Sequence, residues 1–458
     1  MLDSLRPHPP ETTVTVVGAG YVGLVTAACL ASGGRDVLVV ETDGHRRRAV
    51  EAGRVPIHEP GLEPLVARGR ALETLRVTSD LQAALRESTM VIVAVGTPPL
   101  ADGSADLTAV EEVVAQIGSG CKPGTVVVMK STVPPGTAER LRRMLGEQGP
   151  ALVSCPEFLR EGTALEDWYG ASRIVLGGND DAAVDRVVEV MGVPGAAVVR
   201  TDSTSAELIK YGSNAFLALK ISFINEMANV AELMGGDVDH VALGMGTDPR
   251  IGRSFLHAGL GFGGSCFPKD VRALDRAAMK SGYSFWMLKA AIEVNEQQRS
   301  RFVGKIREAV GNDLEGRRIA LLGLAFKPGT DDMRQAPSID VAARLVELGA
   351  TVVAHDPVAA EKAAEHLNGV ELASTPYAAL EGADAVAIVT EWPEYITLDW
   401  ERASSLMRAP VVIDGRNCLD RDHLVALGFN YLSIGRRASI TRWSRRTVDG
   451  VPSKGAAA

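Results

Sequence analysis

The sequence predicts an α/β protein: two doubly wound parallel-sheet domains joined by a central helical region that contains a long connecting helix. Three observations carry this reading. A β-branched run, Val14 to Val17, leads directly into the glycine turn Gly18-Ala19-Gly20-Tyr21-Val22-Gly23 and then an alanine-rich apolar stretch, Leu24 to Leu30. The same succession of short apolar runs, each ending in small or polar residues, returns after residue 311. Between them lie two long segments with helical apolar spacing, one from Thr204 to about Met234 and one from Ser284 to Val310. The expected divisions are 1–200, 201–310 and 311–436, followed by a basic, disordered tail over 437–458.

Strand, glycine turn and helix in this order form a Rossmann-like dinucleotide site. The first glycine makes the turn, the second lets a pyrophosphate approach, and the third lets helix pack on strand. A second strand, Asp36 to Val40, ends in Glu41, whose carboxylate is placed for the ribose hydroxyls of an adenosine. An acid there repels a 2′-phosphate, so NAD is expected and not NADP. Apolar runs at Met90 to Val95, Thr125 to Met129 and Ala151 to Val153 read as buried parallel strands. They end in Gly96-Thr97-Pro98-Pro99, in Lys130 to Gly136, and in Cys155-Pro156-Glu157-Phe158-Leu159-Arg160-Glu161-Gly162. Ligands of open parallel sheets bind at such carboxyl ends, and Glu157 is a candidate general base.

In the central region, Thr204-Ser205-Ala206-Glu207 has the form of a capping box. Lys210 and Asn214, four residues apart, share a face of the helix that follows, with Asn225 near the same line. The segment Gly261-Phe262-Gly263-Gly264-Ser265-Cys266-Phe267-Pro268-Lys269-Asp270 places a cysteine after glycines that leave its approach clear. A nearby cation or helix N-terminus raises the thiolate fraction, so Cys266 reads as a nucleophile.

In the last third the runs at Arg318 to Leu322, Ala350 to Ala354 and Ala383 to Val389 repeat the pattern without the glycine triplet. A sheet of that kind suits the nucleotide part of a substrate, with Lys327, Arg334 and Arg416 at or just past strand ends, where anions bind. Composition narrows the field further. A net charge of -9 over 458 residues excludes general nucleic-acid binding. The cysteines, five in number, are widely spaced, so neither a structural metal nor a disulfide framework is expected, and the setting is read as reducing and cytoplasmic. No apolar run reaches the roughly 18 residues of a membrane span. The proline-rich Met1 to Pro10 does not have the form of a signal peptide.

Taken with Ser131-Thr132-Val133-Pro134, Asp248-Pro249-Arg250-Ile251-Gly252 and Asp414-Gly415-Arg416, these motifs resemble the UDP-glucose/GDP-mannose dehydrogenase family from about residue 12 to 435. The likeness is greatest to its UDP-glucose branch. The resemblance implies oxidation of a sugar C6 alcohol to a carboxylate in two NAD-dependent steps. Cys266 would add to the intermediate aldehyde as a thiohemiacetal and then carry the acyl group as a thioester, which water hydrolyses. Lys210 and Asp270 match the pair that manages the alcohol proton and oxyanion. Glu157 matches the hydrolytic base, with Thr132 and Asn214 holding the water or substrate oxygen.

The resemblance further implies cofactor contacts at the glycine turn (Gly18, Gly20, Tyr21, Val22, Gly23), Glu41, Arg46, Thr97, Thr132, Glu161 and Arg334. UDP-sugar contacts are implied at Phe158, Leu159, Arg160, Glu161, Lys210, Asn214, Arg250, His257, Phe262, Gly263, Phe326, Lys327 and Arg416. A homodimer through the central helices is implied, with Arg250 reaching the partner. Gly170-Ala171-Ser172-Arg173 lacks the Pro-Asp usual before this arginine, and the tail has no counterpart in the family. A sibling enzyme for GDP-mannose or a UDP-N-acetylhexosamine, and a non-catalytic binder of the same ligands, are the alternatives. A hydroxy-acid dehydrogenase shares the order of elements but has no use for Cys266.

Overall fold

The structure, a computed structural model, describes residues 13–439. The chain divides into two compact units. The first comprises the residues up to Asn214 together with Arg272–Ser284, and the second Ala215–Val271 together with the chain from Phe285 onward. The segment Met1 to Pro10 and all but the first residues of the expected basic tail lie outside the described residues. Arg437, at the start of that tail, is described, and its guanidinium donates to Gly235 O.

The first unit is built on eight strands: β1 (Thr13–Val17), β2 (Asp36–Val40), β3 (Leu75–Thr78), β4 (Met90–Val93), β5 (Val126–Met129), β6 (Ala151–Ser154), β7 (Arg173–Gly177) and β8 (Ala197–Thr201). Their order is β3-β2-β1-β4-β5-β6-β7-β8. All neighbours are parallel except β6 and β7, which meet at the single pair Ser154 and Gly177. The second unit carries β9 (Arg318–Leu322), β10 (Thr351–His355), β11 (Val370–Leu372), β12 (Ala385–Ile388), β13 (Val411–Asp414) and β14 (Asn430–Ser433), in the order β11-β10-β9-β12-β13-β14. The repeat expected from the sequence is therefore present. Each sheet reverses its winding beside its first strand, which opens a crevice at the carboxyl ends between β1 and β4 and again between β9 and β12.

The inner strands of both sheets are covered on both faces. β4, β5 and β12 are buried along their whole length, which is why they read as unbroken apolar runs. The expected strand Met90 to Val95 stops at Val93, and Ala383 to Val389 shortens to Ala385–Ile388. Ala94 and Val389, just past the strand ends, are still buried and still donate to the neighbouring strand, at Val17 O and Leu322 O, each at 2.9 Å.

The two long helices are Ser203–Met234 and Trp286–Ala309. The capping box expected at the first is not formed. Asp202 accepts from Ser205 N at 2.8 Å and from its hydroxyl at 2.6 Å, so the helix begins earlier and Glu207 falls too far along to reach back. A carboxylate is a stronger acceptor for free helix amides than a threonine hydroxyl, and it wins the start.

Candidate active site

In the first unit the turn after β1 is built as its glycines require. Gly18 has φ 102, and a Cβ there would lie 2.8 Å from Ala94 O; a Cβ on Gly23 would lie 1.9 Å from Gly18 O. Gly20 is different: a Cβ on it would meet nothing within 4 Å. Its bareness serves no contact of the fold and keeps open the space before the helix Tyr21–Ser32, where a pyrophosphate would lie. Glu41, buried at the end of β2, accepts from Ala19 N at 2.9 Å and from Asp43 N at 2.8 Å, one bond per oxygen. Each oxygen keeps a lone pair for a ribose hydroxyl. The site therefore fits a dinucleotide.

Tyr21 and Val22 form the first turn of that helix. The Tyr21 hydroxyl donates to Glu59 and lies 3.1 Å from Arg160 O, and buried Glu59 accepts from Gly162 N and Ala164 N at 2.6 and 2.8 Å. Burial, then the Glu59 charge, pushes the Tyr21 phenol well above its usual range. Glu59 went unread in the sequence, where a carboxylate in a proline-glycine loop has no periodicity to mark it. Arg46 is exposed on the helix Gly44–Glu51. Thr97 is buried and donates to Thr132 O at 2.9 Å. Arg160 is paired with Asp167, and Glu161 is buried.

Glu157, the candidate general base, lies in a buried ion pair with Lys210 at 2.8 Å and accepts from Leu159 N at 2.6 Å. Burial alone would raise its carboxyl, but Lys210, the Leu159 amide and Lys130 hold it below the usual range. Phe158 lies under the Arg173 guanidinium at 4.0 Å and 5.5 Å from Lys210 Nζ. Lys130, Glu157, Phe158, Trp168 and Arg173 line a cavity of about 200 Å³. Asn214, one turn after Lys210, is also buried.

In the second unit the glycine segment is clamped from several sides. Gly259 N donates to Asn225 Oδ1 at 2.9 Å, Phe262 N to Asn295 Oδ1 at 2.7 Å, and Gly264 N to Arg334 O at 2.9 Å. Gln298 donates to Gly259 O, and Arg299 to Phe262 O. A Cβ on Gly263 would lie 2.4 Å from Gln335 O, and one on Gly264 2.7 Å from the Phe326 ring. These glycines are thus as much a packing requirement as a cleared approach. Cys266 is half-buried at the head of the helix Phe267–Lys280, where its carbonyl accepts from Asp270 N at 2.8 Å. The amide end of a helix favours negative charge there. Asp270 is buried and paired with Lys269 at 2.6 Å.

Arg416 donates to Val389 O, Gly261 O and Phe326 O, so it ties the cysteine segment to the ends of the second sheet. Phe326 and Lys327 are half-buried in the turn after β9. Arg334 is paired with Asp332, and Arg250 with Asp248; both arginines are exposed, as is His257. Asn295, Gln298 and Arg299 went unread because the sequence reading of their helix counted only apolar positions. Their spacing of three and four on one face was the available signal. Among the described residues no three His, Cys, Asp or Glu side chains are grouped to hold a metal ion.

The second sheet has its own counterpart of Glu41. Asp356, just past β10, accepts from Leu324 N, Ala325 N, Val358 N, Ala359 N and Trp392 Nε1 at 2.7 to 3.0 Å. These donors exhaust its lone pairs, so the acid that is open to a ribose in the first sheet serves only the fold in the second.

A glycine turn fitted to pyrophosphate, an acid for the ribose and a cysteine at a helix head define an NAD-dependent oxidoreductase. Three domains of the UDP-glucose/GDP-mannose dehydrogenase family match in order: the NAD binding domain over residues 12–192, the central domain over 204–297 and the UDP binding domain over 320–421. The chain belongs to that family, and its substrate is a UDP-sugar. It is 44% identical over 433 residues to the UDP-glucose 6-dehydrogenase of Rhizobium meliloti, covering 92% of this chain and 99% of that one. Among solved structures, a UDP-glucose dehydrogenase from Pyrobaculum islandicum is similar with TM-score 0.85 and 40% identity, covering 91% of this chain and 96% of that one. A UDP-D-ManNAc dehydrogenase from Pyrococcus horikoshii is similar with TM-score 0.83 but 28% identity, covering 93% and 99%.

Proposed function

We propose that the chain oxidises carbon 6 of UDP-glucose from alcohol to carboxylate, giving UDP-glucuronate. The observation that carries this is Cys266 at the head of a helix, in a glycine segment whose backbone is held by Asn225, Asn295 and Arg416. A two-electron alcohol dehydrogenase needs no such nucleophile. NAD, held by the glycine turn and Glu41, supplies the acceptor for one hydride in each of two oxidations. Asp270 takes the alcohol proton, through a water, and the Lys210 ammonium steadies the oxyanion. The Cys266 sulfur adds to the aldehyde, which keeps it bound and makes the second oxidation a hydride loss from a thiohemiacetal. Glu157, ionised beside Lys210, draws a proton from the water that cleaves the thioester, and the thiol is regenerated. Thr132 and Asn214 orient that water or the sugar oxygen.

Identity to UDP-glucose enzymes at 40 to 44%, against 28% to the UDP-D-ManNAc enzyme, supports UDP-glucose over the acetylated sugars. Phe216, Phe223 and Val230 recur at intervals of seven along the exposed side of the long helix, with 63%, 50% and 40% of their surface open. That stripe supports a homodimer through this helix. No disulfide joins cysteines among the described residues, which suits a reducing cytoplasm. The test is turnover with UDP-glucose, GDP-mannose and UDP-N-acetylhexosamines. Two NADH per acid formed and a sugar acyl group on Cys266 by mass spectrometry are expected with UDP-glucose. One NADH per product, or faster turnover of another sugar, would overturn the reading.

A further inference from the structure

Glu207 lies one turn before Lys210 on the long helix, is buried, and has no part in the chemistry described so far. Both its oxygens are directed at one target. Oε2 accepts from Gly136 N at 2.6 Å and Oε1 from Ala138 N at 2.7 Å. These amides open the helix Thr137–Leu145, whose N-cap is Gly136 in the left-handed region with φ 87 and no side chain to cap it. A helix start needs acceptors for its free N–H groups, and here a carboxylate from a distant stretch of sequence supplies them.

What precedes that helix gives the cap its importance. The loop from Ser131 to Gly136 carries Thr132, and its other end is pinned by the Ser131 hydroxyl donating to Val95 O at 2.7 Å and the Thr97 hydroxyl donating to Thr132 O at 2.9 Å. Thr132, Ser154, Glu207 and Lys210 line one small cavity of about 10 Å³, room for about one water. The buried Ser154 hydroxyl has no hydrogen-bond partner among the described residues. Burial pushes the Glu207 carboxyl up to about 7 in spite of the amides that favour its ionised form, so this carboxylate is kept in place against its own desolvation.

Resting on the reading that Thr132 and Lys210 serve the oxidation of the sugar, we propose that Glu207 is a positioning residue. By holding the head of the helix Thr137–Leu145, it sets the loop that carries Thr132 against the turn of the long helix that carries Lys210.

The test compares Glu207→Ala and Glu207→Gln with the unaltered full chain, by steady-state kinetics and by backbone hydrogen exchange followed by mass spectrometry. Glu207→Ala should lower kcat about tenfold to a hundredfold, the usual penalty of a misplaced reacting group, with KM for NAD and for the sugar nucleotide within about twofold. The segment 131–140 should exchange faster while β1 and β4 do not. Glu207→Gln keeps one acceptor oxygen and should fall between the two, and it decides the matter if the alanine variant does not fold. Unchanged exchange in that segment, or faster exchange with kcat intact, overturns the proposal. If the unaltered protein oxidises no UDP-sugar, the reading of the reaction fails, whereas the exchange of segment 131–140 still accepts or rejects the clamp.

Discussion

Glu157 and Lys210 are each about 5% exposed, so their pair stands or falls together. Removing one partner of a buried pair leaves an uncompensated charge, and Lys210→Ala should cost about 3 to 5 kcal/mol of stability by urea denaturation. Because the folded Glu157 carboxyl lies below its ordinary value of 4.5, the pair's contribution is complete above that pH and is lost as pH falls through the folded value. The stability difference between the native chain and Glu157→Gln should therefore shrink in acid, as a series of denaturation midpoints between about pH 3 and 7 would record. At Cys266, the serine variant should still bind NADH and UDP-glucose in fluorescence titrations yet form no uronate. Full activity in that variant would remove the covalent route. Cys266 and Asp270 were legible as a motif because they are adjacent in sequence. The Glu157 ion pair was not, because 53 residues separate its partners.

The glycine turn and the long helix each separate two readings of one stretch. Gly20→Ala adds a methyl into open space at ordinary φ, so melting temperature should hold while the Kd for NAD rises about tenfold or more. Gly18→Ala meets Ala94 O at 2.8 Å with φ 102 and should lose about 1 to 3 kcal/mol of stability besides. Thermal melts beside cofactor titrations distinguish the two. At the start of the long helix, Asp202→Ala should cost about 1 kcal/mol, and Thr204→Ala close to none, since the cap is Asp202. Equal losses would restore the capping box that the sequence suggested. That expectation failed because a four-residue pattern cannot say which acceptor is the stronger, nor that Glu207 has a partner in another helix.

The first six strands of the larger sheet and the six of the smaller share one order and differ in what their acids do. Glu41 retains capacity for a ribose and Asp356 does not, so equivalent strand ends carry acids with different duties. For the proposed homodimer, Phe223→Asp should give a monomer in light scattering, with far-ultraviolet circular dichroism unchanged, because the residue is half exposed. A dimer that persists in this variant would place the interface elsewhere. The order of elements, the glycine turn and the cysteine motif were all readable from residues close together in the chain, since periodicity and turn chemistry are local properties. Which carboxylate caps which helix, which lysine neutralises Glu157, and which asparagines hold the glycine segment were decided by folding. The Glu207 cap, the Glu157 pair and the asparagine clamps each join a side chain to a group far off in the sequence, and their strength comes from a burial that no single stretch of sequence can report.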